Sequence, residues 1–274
     1  MSIALTVFQG RAGDHNDLAM LGAQSIGSHL SRTLGIETTY IGSPEKALNT
    51  DWRIELEHTI PALRDIQARF EEIFDQGLRP LSATSRCAVS IATLPVVAKY
   101  RKDACVVWFD SHADLNTPST STTGYLGGLA LSGPVGMWDS GLGSGLELSN
   151  VVLVGQRDLD PFEVDLINSS RIRHLKPSNN LAAELEYAIA GRPVYIHLDC
   201  DVLSPGIVPT DYVHPDGLSL EDLRSVCVVM SKSEVIGVEV AEFQNAWSPD
   251  GEPVSPAPIF DALNPLINRM KNER

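Results

Sequence analysis

The densest chemistry in the chain lies in VVWFDSHADLN, Val106–Asn116, where an apolar run ends in Asp110, His112 and Asp114 at every second position. On an extended chain alternate side chains share one face. The spacing therefore crowds carboxylates and an imidazole where a buried sheet would place Val or Ile. Burying such groups unpaired is costly, so the arrangement implies a compensating charge. A second run, VYIHLDCDVLSP, ends the same way in Asp199 and Asp201. A lone D-x-D is weak, because turns and caps use aspartate freely. Two such clusters, each behind an apolar run, make caps and surface acids the poorer explanation. Together they offer four carboxylates and one imidazole, mostly hard donors suited to Mg²⁺ or Mn²⁺, with the His tilting the choice to Mn²⁺. Two cations a few Å apart would share bridging aspartates and activate a water between them.

Short apolar runs alternating with helical patterns must position these residues. Strands are expected at Ile3–Phe8, Glu37–Ile41, Pro80–Thr84, Cys105–Phe109, Val151–Val154, Ile172–Leu175, Val194–Leu198 and Val235–Val240. Helices are expected near Asp17–Leu34, Leu56–Gln76, Ser90–Lys99, Pro161–Ser170, Leu181–Ala190, Leu220–Ser231 and Ile259–Met270. Asn16 or Asp17 suits an N-cap, Pro161 a helix start, and Ser219 with Asp222 a capping box. The alternation predicts an α/β fold with a mainly parallel sheet covered on both faces. Two irregular segments, Asn116–Met137 and Ser204–Gly217, follow the acidic strand ends. Ligands in such sheets bind at the carboxyl ends of strands, so both segments are expected as site walls, with plain surface loops as the alternative.

Composition narrows the partners. The 274 residues are 43% hydrophobic and 20% charged, ordinary for a globular chain. A formal charge of -14 argues against nucleic acid or an anionic membrane as partner. MSIALTVFQG runs straight into a strand pattern without a basic leader region, and no apolar run approaches the roughly 18 residues of a membrane span. Cys87, Cys105, Cys200 and Cys227 form no C-x-x-C pair, which reads as reduced and cytoplasmic.

At this point the residues resemble a known family. DSHADLNTPSTSTTG is similar to the D-x-H-x-D-x-N-T-P signature of the ureohydrolases, the arginase and agmatinase family. HLDCDVLSP resembles its second D-x-D segment, GVEVAEFQ its third, and GQRDLDP a further block. The blocks follow the family's order and spacing from about residue 85 onward, while the first 80 residues add little. The resemblance implies one ureohydrolase domain over residues 1–274, a three-layer αβα fold with a largely parallel sheet of about eight strands, and two Mn²⁺ per chain. It assigns Asp110, His112, Asp114, Asp199 and Asp201 to the metals, with Asp110 and Asp199 bridging. It also gives Asp114 a catalytic proton relay and Glu242 the guanidinium, a planar cation suited to a carboxylate. Asn116 and Thr123 would hold the substrate α-carboxylate and Asp160 its α-amino group. The implied partner is a small guanidino amino acid, with homo-oligomerisation left open.

Two positions depart from the family pattern. TSRCAVS places Cys87 where the family has its first metal-binding His, and TGYLGG places Gly127 where arginases carry a proton-shuttling His. A thiolate is a softer donor than imidazole and must lose its proton to ligate. Cys87 thus admits two readings, a metal ligand or a small buried hydrophobe. A cysteine on this framework resembles the branch of the family that splits Nω-hydroxy-L-arginine into hydroxyurea and L-ornithine for D-cycloserine biosynthesis, and that hydrolysis is the expected reaction. An N-hydroxyl lowers guanidine basicity and relaxes the demand on a proton relay. The enzymatic alternative is an arginase or another guanidino-acid ureohydrolase. A degenerate, inactive binding subunit is the other class, favoured by Cys87 and Gly127 and opposed by the five other ligands and Glu242.

The remaining polar residues have plainer readings. His197 is expected as a hydrogen-bonded core histidine, and Cys200, Cys105 and Cys227 as core. His15, in a segment near the site mouth, is expected as a substrate contact with loop solvation as the alternative, Tyr125 as a substrate contact or a narrowing of the entrance, and Glu239 as a structural pair or a rival to the favoured Glu242.

Overall fold

The computed structural model describes residues 3–169 and 172–272. In chain order the elements are β1 (Ile3–Phe8), α1 (Leu18–Leu34), β2 (Thr38–Ile41), α2 (Trp52–Asp75), β3 (Arg79–Thr84), α3 (Ser90–Tyr100), β4 (Cys105–Phe109), β5 (Val151–Val154), α4 (Pro161–Ser169), β6 (Arg173–Leu175), α5 (Leu181–Ile189), β7 (Val194–Asp199), α6 (Leu220–Met230), β8 (Val235–Ala241) and α7 (Ala257–Asn272). The eight strands form one sheet in the order β2-β1-β3-β8-β7-β4-β5-β6, and every pairing is parallel.

Strands β1, β4, β7 and β8 are buried at every position, which requires helices on both faces. Alternation divides their side chains between two cores. Val107, Phe109, Ile196, Leu198 and Cys200 pack with α1, α5, α6 and α7. Val106, Trp108 and Tyr195 pack with α2, α3 and the 126–146 segment. The result is the expected three-layer αβα sandwich.

Local signals explain most boundaries. Ser219 and Asp222 form the capping box of α6. Asn16 Oδ1 accepts from Leu18 N at 2.9 Å at the start of α1, whereas Asp17 turns away to accept from Ala47 N. Helix α2 starts four residues earlier than the apolar pattern predicts, because Asp51 caps it through Arg53 N at 2.9 Å. Helix α7 likewise begins at Ala257, directly after Pro256. The expected end of α4 at Ser170 lies outside the described residues. The 116–137 segment is no plain surface loop, since Leu126, Leu129, Ala130 and Leu131 are fully buried. Gly22 lets α1 touch the chain just beyond the central strand β8: a Cβ there would meet Phe243 O at 1.7 Å, beside Glu242.

Candidate metal centre

The acidic residues gather because four central strands end side by side. In the order β3-β8-β7-β4, Cys87 opens a short 3₁₀ turn after β3, Glu242 follows β8, Asp199 ends β7, and Asp110 follows β4. The pleat is not what aligns the two D-x-D sets, contrary to the spacing argument. Only Asp199 belongs to a strand; Asp201 lies in a 3₁₀ turn over Cys200–Val202, and Asp114 has a left-handed φ of 53°. Turns pinned by their own carboxylates bring the groups together. Asp110 Oδ1 accepts from His112 N and Asp199 Oδ1 from Asp201 N, both at 2.7 Å. Asp201 Oδ1 accepts from Ser111 N at 3.0 Å, tying one turn to the other. Glu242 is also left-handed, with φ 64°, a strained state that persists where surroundings hold it and that recurs at functional sites.

The donors form overlapping groups whose ligand atoms lie within 4.8 Å of one another: Cys87 with Asp110 and Asp114, Asp110 with His112 and Asp201, and Cys87 with Asp199 and Glu242. Asp110 belongs to two of these groups, as a bridging ligand would. Asp199 falls with Cys87 and Glu242, on the Cys87 side of the cluster. Burial, reinforced by Asp110, pushes Asp114 well above the usual carboxylate range. Burial reinforced by Asp201 and Asp110 does the same to Asp199, and burial with Asp201 raises Asp110. Burial alone would lower His112, but hydrogen bonds to Asp110 and Asp201, both at 3.2 Å, hold it well above its ordinary value. The same contact outweighs burial at Asp201 and lowers it. Such repulsion among buried acids is relieved by a divalent cation, and the oxygen-rich set fits small hard ions; the thiol is its one soft member.

Cys87 sits within this set and is buried. Its Sγ donates to Asp199 Oδ2 at 3.0 Å and lies 3.1 Å from His197 Nε2. Burial and then Asp199 push the thiol up. His197 is the buried, hydrogen-bonded histidine the sequence predicts, with a further contact it does not. Its Nδ1 meets Glu239 Oε1 at 2.9 Å, which fixes the tautomer and turns Nε2 towards Cys87. The ring stacks on Trp108 at 3.6 Å, whose Nε1 donates to Asp110 Oδ2 at 3.1 Å. Glu239 is therefore the structural acid of the VIGVEVAEF run, bonded also by Ser90, Thr93 and Tyr195.

Glu242 faces the cluster with both oxygens engaged. Oε2 accepts from Arg86 Nη1 at 2.7 Å, and Oε1 from Cys87 N at 3.0 Å and from the Tyr125 hydroxyl at 3.4 Å. Burial pushes its carboxyl up to about 7 against the pull of Arg86.

A cleft of about 130 Å³ leads outward from His112 and Asp114 between Asn116, Thr123, Asp160 and Tyr125. Asn116 Nδ2 donates to Asp160 Oδ2 at 2.7 Å, so the expected carboxylate and amino anchors are neighbours. Thr123 is exposed at the rim, where its Oγ1 accepts from Tyr125 N. His15 does not line the cleft; it stacks on Tyr125 at 4.6 Å and pairs with Asp211 at 3.1 Å. At Gly127 a Cβ would stand 2.3 Å from the Tyr125 ring. The tyrosine thus fills the space a side chain at that position would need.

Four contributors escape the sequence patterns. Arg86 is fully buried beside Cys87. Glu163 orders two loops by accepting from Leu115 N and Asp160 N. Arg157 binds the carbonyls of Asp201, His214 and Pro215, and so fastens the 204–217 wall to the centre. Tyr212 of that wall borders the cleft and meets His112 edge-on at 5.1 Å. A charge inside the otherwise uncharged TSRCAVS was the one visible signal for Arg86. The others depend on contacts across the fold. The four cysteines are free, and Cys105, Cys200 and Cys227 pack in the core as expected. No helix among the described residues is long and apolar enough to cross a membrane.

Known proteins resemble this sequence and share this fold. An Nω-hydroxy-L-arginine amidinohydrolase of Streptomyces lavendulae is 39% identical over 269 residues, covering 97% of each chain. Arginase from Bacillus cereus superposes with a TM-score of 0.82 at 22% identity, over 99% of this chain and 98% of that one. Proclavaminate amidino hydrolase from Streptomyces clavuligerus superposes at 0.70 with 17% identity, over 98% and 89%. The sequence matches the arginase family model over residues 20–253, and the chain belongs to the arginase family.

Proposed function

We propose that the chain acts as one manganese-dependent ureohydrolase domain that hydrolyses the guanidino C–N bond of Nω-hydroxy-L-arginine to hydroxyurea and L-ornithine. One observation carries this reading. Cys87 Sγ stands among Asp110, Asp114 and Asp199 in a chain whose near full-length relative bears that activity in its name. Asp110, His112, Asp114, Asp199, Asp201 and Cys87 would hold two Mn²⁺, with Asp110 shared. Bound there, the cations would offset the buried carboxylate charge and lower the pKa of a water facing the guanidino carbon.

The protein's own groups supply the rest. Asn116, Thr123 and Asp160 grip the amino-acid end and orient the guanidine inward. Glu242 holds the guanidino nitrogens, which fixes the carbon for attack. Asp114, within reach of Asp110 and Cys87 in the cluster, takes the water's proton and returns it towards the departing δ-nitrogen. Asp199 Oδ2 at 3.0 Å and His197 Nε2 at 3.1 Å are the two acceptors within reach of the Cys87 thiol proton, whose departure lets the sulfur ligate. The Tyr125 hydroxyl keeps a donor at the reacting end, where Gly127 offers none. The four free thiols and the acidic surface suit a cytoplasmic enzyme providing hydroxyurea for antibiotic biosynthesis.

Product analysis tests the reading. Manganese-loaded protein given Nω-hydroxy-L-arginine is expected to release hydroxyurea and L-ornithine in equal amounts. Urea from L-arginine as the faster reaction would point to an arginase, and no product from either to a degenerate member.

A further inference from the structure

Arg86 is a buried charge that the catalytic reading does not use. Its side chain is 0% exposed, and its fork joins three segments. Nε donates to Asp14 Oδ1 at 2.8 Å in the loop after β1, while Nη1 donates to Asp211 Oδ2 at 2.9 Å and to Glu242 Oε2 at 2.7 Å. Nη2 has no hydrogen-bond partner. Asp14 and Asp211 have other donors, Ala12 N on the first and His15 with Asn16 on the second. Glu242 has no other cation among its contacts, only Cys87 N and the Tyr125 hydroxyl.

The carboxylate proposed to receive a substrate guanidinium is thus already paired with a guanidinium of the protein. A second cation brought to the same acid meets the fixed charge of Arg86 at close range and finds Oε2 taken. An uncharged guanidine escapes that repulsion and still donates to the remaining lone pairs. We infer that Arg86 is a specificity-determining counter-ion: by claiming Glu242 from within, it makes the site select a weakly basic, uncharged guanidine over a guanidinium cation. The position acts on substrate choice through Glu242, which makes Arg86 a positioning residue. The inference rests on the proposed guanidino amino-acid substrate.

The test compares parent, Arg86→Lys and Arg86→Gln, all loaded with Mn²⁺. The ratio of kcat/KM for Nω-hydroxy-L-arginine to that for L-arginine is the main readout. Calorimetric affinity for L-citrulline, an uncharged isostere, reports the site without turnover. Arg86→Gln is expected to lower the ratio at least tenfold, mainly through a lower KM for arginine, with citrulline affinity changed less than threefold. Arg86→Lys keeps the charge and should keep the ratio within about threefold. Should Arg86→Gln fail to fold with Asp14 left unpaired, Asp14→Asn/Arg86→Gln removes that partner charge as well. The parent alone gives an independent arm. Its affinity for L-canavanine, whose oxyguanidine is only weakly basic, should rise relative to citrulline as pH climbs through the ligand's own titration.

A ratio unchanged in a folded Gln variant, equal losses in the Lys and Gln variants, or a canavanine affinity that falls with pH would each overturn the role of Arg86. A parent that hydrolyses neither amino acid removes the functional reading itself. A parent that favours Nω-hydroxy-L-arginine, with variants of unchanged ratio, removes only this inference.

Discussion

Replacing Asp199 by asparagine should stabilise the protein without metal and destabilise it with metal. Asparagine keeps the shape: its Oδ1 can still accept from Asp201 N, now 2.7 Å away, and its amide faces Cys87 Sγ, which meets Oδ2 at 3.0 Å. What disappears is a carboxylate whose ionised form is opposed by burial, Asp201 and Asp110. Relief of that repulsion, offset in part by the weaker thiol contact, is worth about 1–2 kcal/mol. For a chain of this length that is about 2–8 °C in Tm. With Mn²⁺ the order reverses, because a site saturated at about 100 times its Kd adds about 2.7 kcal/mol to the folded state, and the variant loses a ligand. Calorimetric unfolding of both proteins at pH 7, first in chelator and then in Mn²⁺, reads the two differences. A variant less stable than the parent in chelator, or no reversal on adding Mn²⁺, would refute the electrostatic argument.

Further outcomes follow from the same geometry. Acids with raised folded pKa values, such as Asp114 and Asp199, bind more protons folded than unfolded, so they subtract stability as pH rises above the ordinary Asp range towards the raised values. Glu242, pushed up to about 7, sets the window: chelated protein should melt lower at pH 7 than at pH 5, and an equal Tm at both would contradict this. Asp201 has the opposite sign, its contribution fading only in acid as pH falls through its lowered value. Gly127→His should cost about 1–3 kcal/mol, because its Cβ would lie 2.3 Å from the Tyr125 ring; Tyr125→Ala in the same chain should recover most of it, as denaturant titration can show. Cobalt-loaded protein should display a thiolate charge-transfer band that Cys87→Ser abolishes, and its absence from the parent spectrum would return Cys87 to the core reading. Asp160→Asn should raise KM about tenfold with little change in kcat, and a selective fall in kcat would assign it to chemistry instead.

Much of this was legible in the residues. The central strands could be read because β1, β4, β5, β7 and β8 are short buried runs between turn signals, with no competing period; the edge strands TTYI and RHL are only partly buried and followed from the alternation with helices. The candidate cluster was legible because carboxylates at strand ends have no cheaper explanation. The means of its convergence was not: the left-handed Asp114 and the 3₁₀ turn at Asp201 depend on hydrogen bonds to backbone N–H groups, such as Ser111 N on Asp201, that only the assembled turns supply. Arg86 was hidden for a related reason. Its partners Asp14, Asp211 and Glu242 lie up to 156 residues away in sequence, and a single Arg in an uncharged stretch does not name them. The Cys87–His197–Glu239 chain was likewise invisible as a unit, although each member stood out alone. Tyr125 over Gly127 shows the limit most simply, since an absent side chain says nothing about what fills its place.

A thiol-bearing metal centre with Arg86 behind Glu242 is proposed to serve an N-hydroxylated guanidine. Side-by-side kcat/KM for Nω-hydroxy-L-arginine and L-arginine, on the manganese-loaded protein, tests it most directly. A preference of at least tenfold for the hydroxylated substrate is expected, with hydroxyurea as product; equal or faster hydrolysis of arginine would contradict it.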